Sequence, residues 1–377
     1  MIKAVVFDLD GTLLDRESSL ERFIKSQYNR FKNALQHIPK EAFLARFIEL
    51  DEKGCVWKDR VYEQLAEEYQ LQGISSIELL DDYIKNFSVQ CTPFPHLLEM
   101  LDALKENSLR LGMITNGKGQ FQMDNIQALE IASYFDVILI SEWEGVRKPD
   151  PEIFYKALRK LGVRAEEAVY IGDHPKNDIE AAMAVGMTGI WKKDEYWGKA
   201  ETDFYIEDLL EIPKLMNKLN LNIRPYRTND LDGLVALFYE TVHAVNAADY
   251  NQQQLNAWAP QNSSKERKEK WRHSLSRNET VVAELNGKLV GFCDIQQDGY
   301  LNRLFVHKDH QRQGIAAALL KRIEEEAANK EMDQITTDAS LTAKPFFEKH
   351  GYQLIKCQTI ERNGVELINH KMVKNLK

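Results

Sequence analysis

The hydrophobic pattern of this chain changes once, and the change limits what it can fold into. Up to about Ile206, short apolar runs recur with helical patterns between them: "AVVF", "LRLGMIT", "DVILIS", "AVYIG", "TGIW" and "DFYI". Strands fed alternately by helices predict right-handed crossovers and a parallel sheet. Beyond the proline-marked helical connector "EIPKLMNKLNLN" (211–222), Asn286-Gly287, Asp298-Gly299 and Asn363-Gly364 separate apolar runs instead. Such dipeptides signal tight hairpins, so this half is expected to carry an antiparallel sheet. At 377 residues the chain is long enough for two full cores. The boundary is expected near Asn220, with domains over 1–219 and 220–377.

One segment interrupts the first half. Residues 15–90 read as purely helical, with Leu20, Phe23, Ile24, Phe31 and Leu35 on one face. Phe43, Leu44, Phe47 and Ile48 share another. A helical module inserted directly after the first strand is expected to serve as a lid.

Charge and cysteine usage exclude several classes. A net charge of -9 argues against a nucleic-acid binder, which normally shows a basic footprint. Cys55, Cys91, Cys293 and Cys357 form no CxxC pair, so neither a disulfide framework nor a thiolate zinc site is suggested, and a cytoplasmic location is expected. The N-terminal apolar run breaks at Asp8, too soon for a signal peptide, and no segment suits a bilayer. The run "KERKEK" (265–270) mixes both signs and is expected to form a solvated helix face.

The first strand ends oddly. "VVFDLDGTLL" (5–14) runs apolar residues into two carboxylates one residue apart. Strand periodicity puts Asp8 and Asp10 on the same side, where they repel. A divalent cation such as Mg²⁺, which favours carboxylate oxygens, is the simplest remedy, although a polar strand end capping a helix would read the same locally. Three later segments weigh on the choice. "LRLGMITNG" ends a strand at Thr115-Asn116, "GVRKPDPEIF" carries Lys148 before a proline, and "VYIGDHPKNDIE" puts Asp173 and Asp178 on a loop. In an open parallel sheet, sites form outside the carboxyl ends of the strands, where all four segments deliver their polar residues. Singly each has an ordinary explanation as a turn or cap residue; jointly, in this order, they do not.

Residues 1–210 resemble the haloacid dehalogenase (HAD) superfamily of phosphohydrolases. Its Asp-x-Asp-x-Thr motif matches Asp8-Leu9-Asp10-Gly11-Thr12; its Ser/Thr, its Lys and its Gly-Asp-x-x-x-x-Asp match Thr115, Lys148 and Gly172-Asp173 through Asp178. The resemblance implies a Rossmann-like parallel sheet with an inserted helical cap at about 15–90, and hydrolysis of a small phosphate ester. Asp8 is then the nucleophile and Asp10 the acid and base. Asp8, the Asp10 carbonyl and Asp173 are the Mg²⁺ ligands, while Thr115, Asn116 and Lys148 hold the phosphoryl oxygens. Asp178 is expected to orient Lys148 and its loop from behind the ligands. His174 is expected at the surface. Dehalogenases share the fold, but a halide needs no acid, so Asp10 favours phosphate.

In the second half, a strand at 301–306 leads through Gln311-Arg312-Gln313-Gly314-Ile315-Ala316 into an amphipathic helix. Small residues at a helix start, with free N–H groups and the helix dipole, suit a pyrophosphate. With "AKPFFEKHGY" following, residues 222–373 resemble the GNAT acetyltransferases, whose Gln/Arg-x-x-Gly-x-Gly/Ala motif matches Gln311 to Ala316. The resemblance implies an α+β domain with a mainly antiparallel sheet that binds acetyl-CoA. Pantetheine would run along Leu304, Phe305 and Val306, the pyrophosphate would sit on 311–316, and an amine would accept the acetyl group. One departure stands out. Phe347 occupies the position where many members carry the tyrosine that protonates the departing thiolate, leaving Tyr352 or Tyr300, catalysis by proximity, or a domain that only senses acetyl-CoA. Trp258 in "NAWAP" suits an acceptor pocket wall or, more simply, aromatic core.

Overall fold

A computed structural model describes residues 1–260 and 265–377, apart from the side chain of Glu266. Contacts divide the chain into two units, Met1–Met216 and Asn217–Lys377.

The first unit is built on β1 (Ala4–Phe7), β2 (Arg110–Thr115), β3 (Val137–Ile140), β4 (Ala168–Gly172), β5 (Thr188–Lys192) and β6 (Tyr205–Ile206). They lie in the order β3-β2-β1-β4-β5-β6, and every pairing is parallel. All four residues of β1 are buried, because helices cover both faces and no polar alternation is needed. The helix Pro151–Leu161 shows how one face is covered. Ile153, Phe154, Ala157, Leu158 and Leu161 form its inner stripe and pack on Val6, Ile114, Leu139 and Tyr170. Asp150 caps it by accepting from the Glu152 N–H, and Pro151 opens it with a φ already suited to a helix.

Between Leu14 and Thr92 the chain is helical, with its longest pieces at Arg16–Arg30, Lys40–Asp51, Lys58–Glu68 and Ser76–Asn86. The expected face from Leu20 to Leu35 is not continuous. The first helix stops at Arg30, and Phe31 (φ -104°, ψ 27°) turns the chain so that Leu35 belongs to a separate short helix. Ile48 also departs from expectation: Phe43 and Phe47 point inward one turn apart, which leaves Ile48 46% exposed at the edge of the face. At the root of this module the entering and leaving segments pair. The Asp15 N–H donates to the Thr92 carbonyl at 2.9 Å and the Phe94 N–H to the Leu13 carbonyl at 3.0 Å.

The second unit contains β7 (Leu221–Pro225), β8 (Glu279–Leu285), β9 (Lys288–Ile295), β10 (Tyr300–Val306), β11 (Gln334–Ser340), β12 (Gln353–Arg362) and β13 (Val365–Asn375). Their order is β12-β13-β11-β10-β9-β8-β7, antiparallel throughout except for β10 beside β11. Asn286-Gly287 (φ 51° and 79°) and Asn363-Gly364 (φ 50° and 75°) make two-residue turns with both angles positive, as a tight hairpin requires. Asp298-Gly299 lies in a longer connection. Alternation decides which helix each strand residue meets: Val281 and Cys293 pack with the helix Ile315–Asn329, Val282 and Phe292 with the helix Leu231–Ala244.

The run at 265–270 opens the helix Lys265–Arg277, and the side chain of Glu266 lies outside the described residues. All four cysteines are free, and no helix among the described residues is long and apolar enough to cross a membrane.

Candidate active sites

In the first unit the chain's progress across the sheet reverses between β1 and β4, and a crevice opens at the carboxyl ends of those strands. Asp8 follows β1, Thr115 ends β2, and Asp173 follows β4. Asp8, Asp173 and Asp178 are buried and bring carboxylate oxygens within 4.8 Å of one another. Lys148 reaches in from the loop before the helix Pro151–Leu161. Its Nζ donates to Asp8 Oδ1 and Asp178 Oδ1 at 2.6 Å each and to the Tyr170 hydroxyl at 2.8 Å. The other oxygen of Asp178 accepts the His174 N–H at 3.0 Å, tying the β4 loop to the same carboxylate. Gly11 (φ +78°) permits the crowding: a Cβ there would stand 2.5 Å from Asp173 Oδ2.

The charges do not balance. Burial pushes the Asp8 carboxyl well above its ordinary range against the pull of Lys148, and Asp178, Asp173 and Asp10 add to the rise. Burial and then Asp178 raise Asp173 to about 7, although the Trp197 indole donates to its Oδ2 at 3.0 Å. Burial opposes the charge on Lys148, but Asp178 and Asp8 outweigh it and hold the ammonium protonated well above its ordinary range. Of the three buried carboxylates, Asp8 and Asp178 share the Lys148 ammonium, while the buried Lys192 acts on Asp173 through its charge.

The remaining residues expected here take distinct positions. Asp10 lies outside the 4.8 Å cluster, and its Oδ2 accepts from Gln122 Nε2 at 2.6 Å. Thr115 Oγ1 is fully buried and accepts from the same nitrogen at 2.7 Å. Asn116, expected on a phosphoryl oxygen, directs its side chain elsewhere: Nδ2 donates to the Lys148 carbonyl and Oδ1 accepts the Lys148 N–H, both at 2.9 Å. His174, expected at the surface, is half-buried, with its ring centroid 4.4 Å from that of Trp197 and the planes tilted by 33°.

Gln122, Tyr170 and Trp197 escaped the sequence analysis. Tyr170 sits in a strand that reads as wholly apolar, and its hydroxyl gives no periodic signal. Nor does a glutamine in an amphipathic helix, though its place one turn into the helix after Thr115-Asn116 was a usable clue. The helical insert adds further charge near Asp10. Arg16 makes a two-pronged pair with Asp51 (2.8 and 2.9 Å), and the buried Lys58 contacts the same carboxylate. Trp57 and Tyr83 of the insert pack on Phe121, beside Gln122.

In the second unit β10 and β11 pair only at Tyr300–Thr336 and Leu301–Thr337, although β10 continues to Val306 and β11 to Ser340. Beyond Leu301 the two parallel strands diverge, leaving the backbone from Leu304 to Val306 without a β11 partner. On its other edge this stretch pairs with Cys293, Phe292 and Gly291. The Val306 carbonyl accepts from Thr241 Oγ1 at 3.0 Å and Gln311 Nε2 at 2.6 Å, so the Gln311 side chain serves the strand end. Arg312 (φ +61°) and Gly314 (φ +81°) are both left-handed, and Gly314 precedes the first turn of the helix Ile315–Asn329. A Cβ on Gly314 would enter open space. Gln313 Oε1 accepts from Asn217 Nδ2 at 3.2 Å, Ile315 is buried, and Ala316 packs against the core.

Phe347 is buried with its ring 5.0 Å from that of Tyr352, whose hydroxyl burial and Glu324 push far above the ordinary phenol range. Burial and Asp338 push Tyr300 to about 12, and its hydroxyl donates to Asp338 Oδ2 at 3.3 Å. Trp258 is half-buried and packs against the core beside the rings of Tyr250 and Phe305.

A carboxylate cluster at the switch point of a parallel sheet, and a mainly antiparallel sheet whose parallel pair, β10 and β11, splays apart, define a two-part enzyme with a hydrolase half and an acetyltransferase half. The chain belongs to the haloacid dehalogenase-like hydrolases over residues 5–192 and to the GNAT acetyltransferases over residues 246–374. It is 36% identical over 153 residues to the uncharacterized N-acetyltransferase YafP of Escherichia coli, covering 41% of this chain and 95% of that one. It is 31% identical over 246 residues to the glyceraldehyde 3-phosphate phosphatase of Pyrococcus abyssi, covering 60% of this chain and all (100%) of that one. Among solved structures, a HAD phosphatase from Thermococcus onnurineus is 27% identical with a TM-score of 0.43, over 57% of this chain and 98% of that one.

Proposed function

We propose that the first unit hydrolyses a small phosphate ester through an aspartyl-phosphate on Asp8. The observation that carries this is Lys148 Nζ held 2.6 Å from Asp8 Oδ1 within a group of three buried carboxylates. Asp8 forms a bond to phosphorus as the bond to the alcohol oxygen breaks, and Asp10 protonates that oxygen. Asp10 then takes a proton from the water that cleaves the aspartyl-phosphate, returning both carboxylates to their starting state. Lys148 and Thr115 stabilise charge on the transferring oxygens. Asp178 holds Lys148 and the His174 backbone in place. The all-oxygen donor set and its excess negative charge fit Mg²⁺, with Asp8, the Asp10 carbonyl and Asp173 as ligands. Bound there, the metal would offset the carboxylates and polarise the phosphoryl group. A relative named for a triose phosphate supports a small substrate.

For the second unit we infer acetyl transfer from acetyl-CoA to an amine. The edge of Leu304, Phe305 and Val306 that β11 leaves free can take the pantetheine amides, apart from the Val306 carbonyl, which already accepts from Thr241 and Gln311. The backbone at 311–316, open at Gly314, can take the pyrophosphate. A second reading, favoured by Phe347, makes this unit a non-catalytic acetyl-CoA sensor. A dehalogenase in the first unit is disfavoured by Asp10. The domain limits proposed are 1–219, with the cap at about 15–90, and 220–377.

The test is a phosphate-ester panel with Mg²⁺, run with and without acetyl-CoA, and acetyl-CoA turnover against an amine panel. Phosphate release that stops with EDTA and in Asp8→Asn is expected. Turnover persisting in either condition refutes the metal role or the nucleophile. Acetyl-CoA binding with no turnover, together with a change in phosphatase rate, selects the sensor.

A further inference from the structure

One amide joins two groups that the proposed reaction uses. Gln122, 2% exposed, lies on the helix Gly119–Ala128 and directs Nε2 to Asp10 Oδ2 at 2.6 Å and Thr115 Oγ1 at 2.7 Å. The Asn116 carbonyl lies 3.3 Å from the same nitrogen. Its Oε1 accepts from Asn125 Nδ2 at 3.1 Å, and Asn125, fully buried, has its own Oδ1 facing the Cys91 thiol at 3.5 Å. The Asn116 carbonyl can only accept, so Gln122 presents its nitrogen to it and to Asp10, and its oxygen to Asn125.

We propose that Gln122 is the positioning residue for the proton transfer of Asp10, a role that rests on the phosphatase reading above. An amide nitrogen donates and does not accept. Asp10 Oδ2 is therefore held as an acceptor, and the proton for the leaving alcohol is carried by Oδ1. The same amide ties that carboxylate to Thr115, so the acid and the phosphoryl-binding hydroxyl keep a fixed spacing. Gln122 needs no contact with substrate to do this.

The test uses the full chain with Mg²⁺, an alkyl phosphate that it turns over, and p-nitrophenyl phosphate, whose phenolate leaves with little need of a proton. Gln122→Met keeps the bulk and removes the amide. In single-turnover release of the alcohol, the step in which Asp10 acts as acid, the alkyl ester is expected to lose roughly 10–100-fold, the range of a misplaced acid, and the nitrophenyl ester less than about threefold. KM should stay within about twofold for both, since ground-state binding is not altered. In an Asp10→Asn background the same change should cost less than about twofold further, because the group that it acts through has gone.

Equal losses on the two esters, or an undiminished loss in the Asp10→Asn background, overturn the positioning role. Gln122→Asn withdraws the amide by one methylene and is expected to show the same split between esters, giving a second readout should the Met variant fold poorly. The two failures are distinct. Asp10→Asn slowing that first step, release of the alcohol, alike for both esters removes the acid itself, and the role of Gln122 with it. A split in Asp10→Asn with none in Gln122→Met overturns Gln122 alone.

Discussion

Asn116 and Lys148 hold each other by a reciprocal pair of hydrogen bonds. The Asn116 amide donates to the Lys148 carbonyl and accepts the Lys148 N–H, each at 2.9 Å, across 32 residues of sequence. The end of β2 is thereby bolted to the loop that carries the buried ammonium. The Lys148 side chain spans from that backbone to Asp8, so any slack at Asn116 is passed to the proposed nucleophile.

Asn116→Ala should lower kcat by roughly 10–100-fold, the size of effect expected when a catalytic group moves by about an ångström. Asn116→Asp, which keeps the acceptor but loses the donor, should fall between the two. Steady-state kinetics with circular dichroism to verify the fold would check this. A wild-type rate in Asn116→Ala would mean that Lys148 is placed by Asp8, Asp178 and Tyr170 alone.

Asp10→Asn should slow ester hydrolysis by roughly 10²–10⁴-fold through lost acid–base catalysis. Mg²⁺ affinity should hardly change, because the proposed ligand is the main-chain carbonyl. Calorimetric Mg²⁺ titration beside the kinetics separates the two effects. A loss of affinity as large as the loss of rate would contradict that division.

Lys58 provides a pH test. Burial, and then Arg16, bring its ammonium down to about 8 against the attraction of Asp51. In the unfolded chain the same group keeps its proton to about 10.4. Between those values the unfolded state binds more protons, so folding gains stability as pH rises and loses that gain as pH falls through about 8. The melting-temperature difference between wild type and Lys58→Met should therefore shift in favour of wild type from pH about 8 to about 10. A difference that is flat over this range would show that Lys58 does not titrate there.

Gly314→Val should weaken acetyl-CoA binding while leaving phosphate release nearly unchanged. The backbone there is left-handed (φ +81°), which a β-branched residue resists, and the added side chain would fill the open space proposed for the pyrophosphate. Truncating Arg312 should matter less if the contacts are to backbone. Normal calorimetric binding by Gly314→Val would move the cofactor elsewhere. A phosphatase rate that responds to acetyl-CoA in wild type but not in this variant would favour the sensor.

Much of the architecture was legible in the chain. The six apolar runs of the first half became β1 to β6, and Asn286-Gly287 and Asn363-Gly364 became tight hairpins. These features are local. A strand's apolar run or a turn's need for positive φ is written within a few residues, wherever the rest of the chain goes. Asp8, Asp10, Thr115, Lys148 and Asp173 were legible as candidates, because each stands at the end of a strand or between a strand and the next long helix; Asp178, expected on a loop, lies instead in the helical segment Pro175–Glu180, which begins two residues after Asp173.

Tertiary structure alone decided the rest. Phe31 broke a face that the periodicity drew as continuous, since a repeating pattern does not say where a helix turns. Lys148 met Asp8 across 140 residues, and Gln122 met Asp10 across 112. Tyr170 put a hydroxyl on Lys148 from inside an apolar strand, and Trp197 put an indole on Asp173. Hydrogen bonds of this kind depend on ångström distances and on which way an amide faces. Those are set by how helices and strands pack, and periodicity along the chain records only which side of each element is buried.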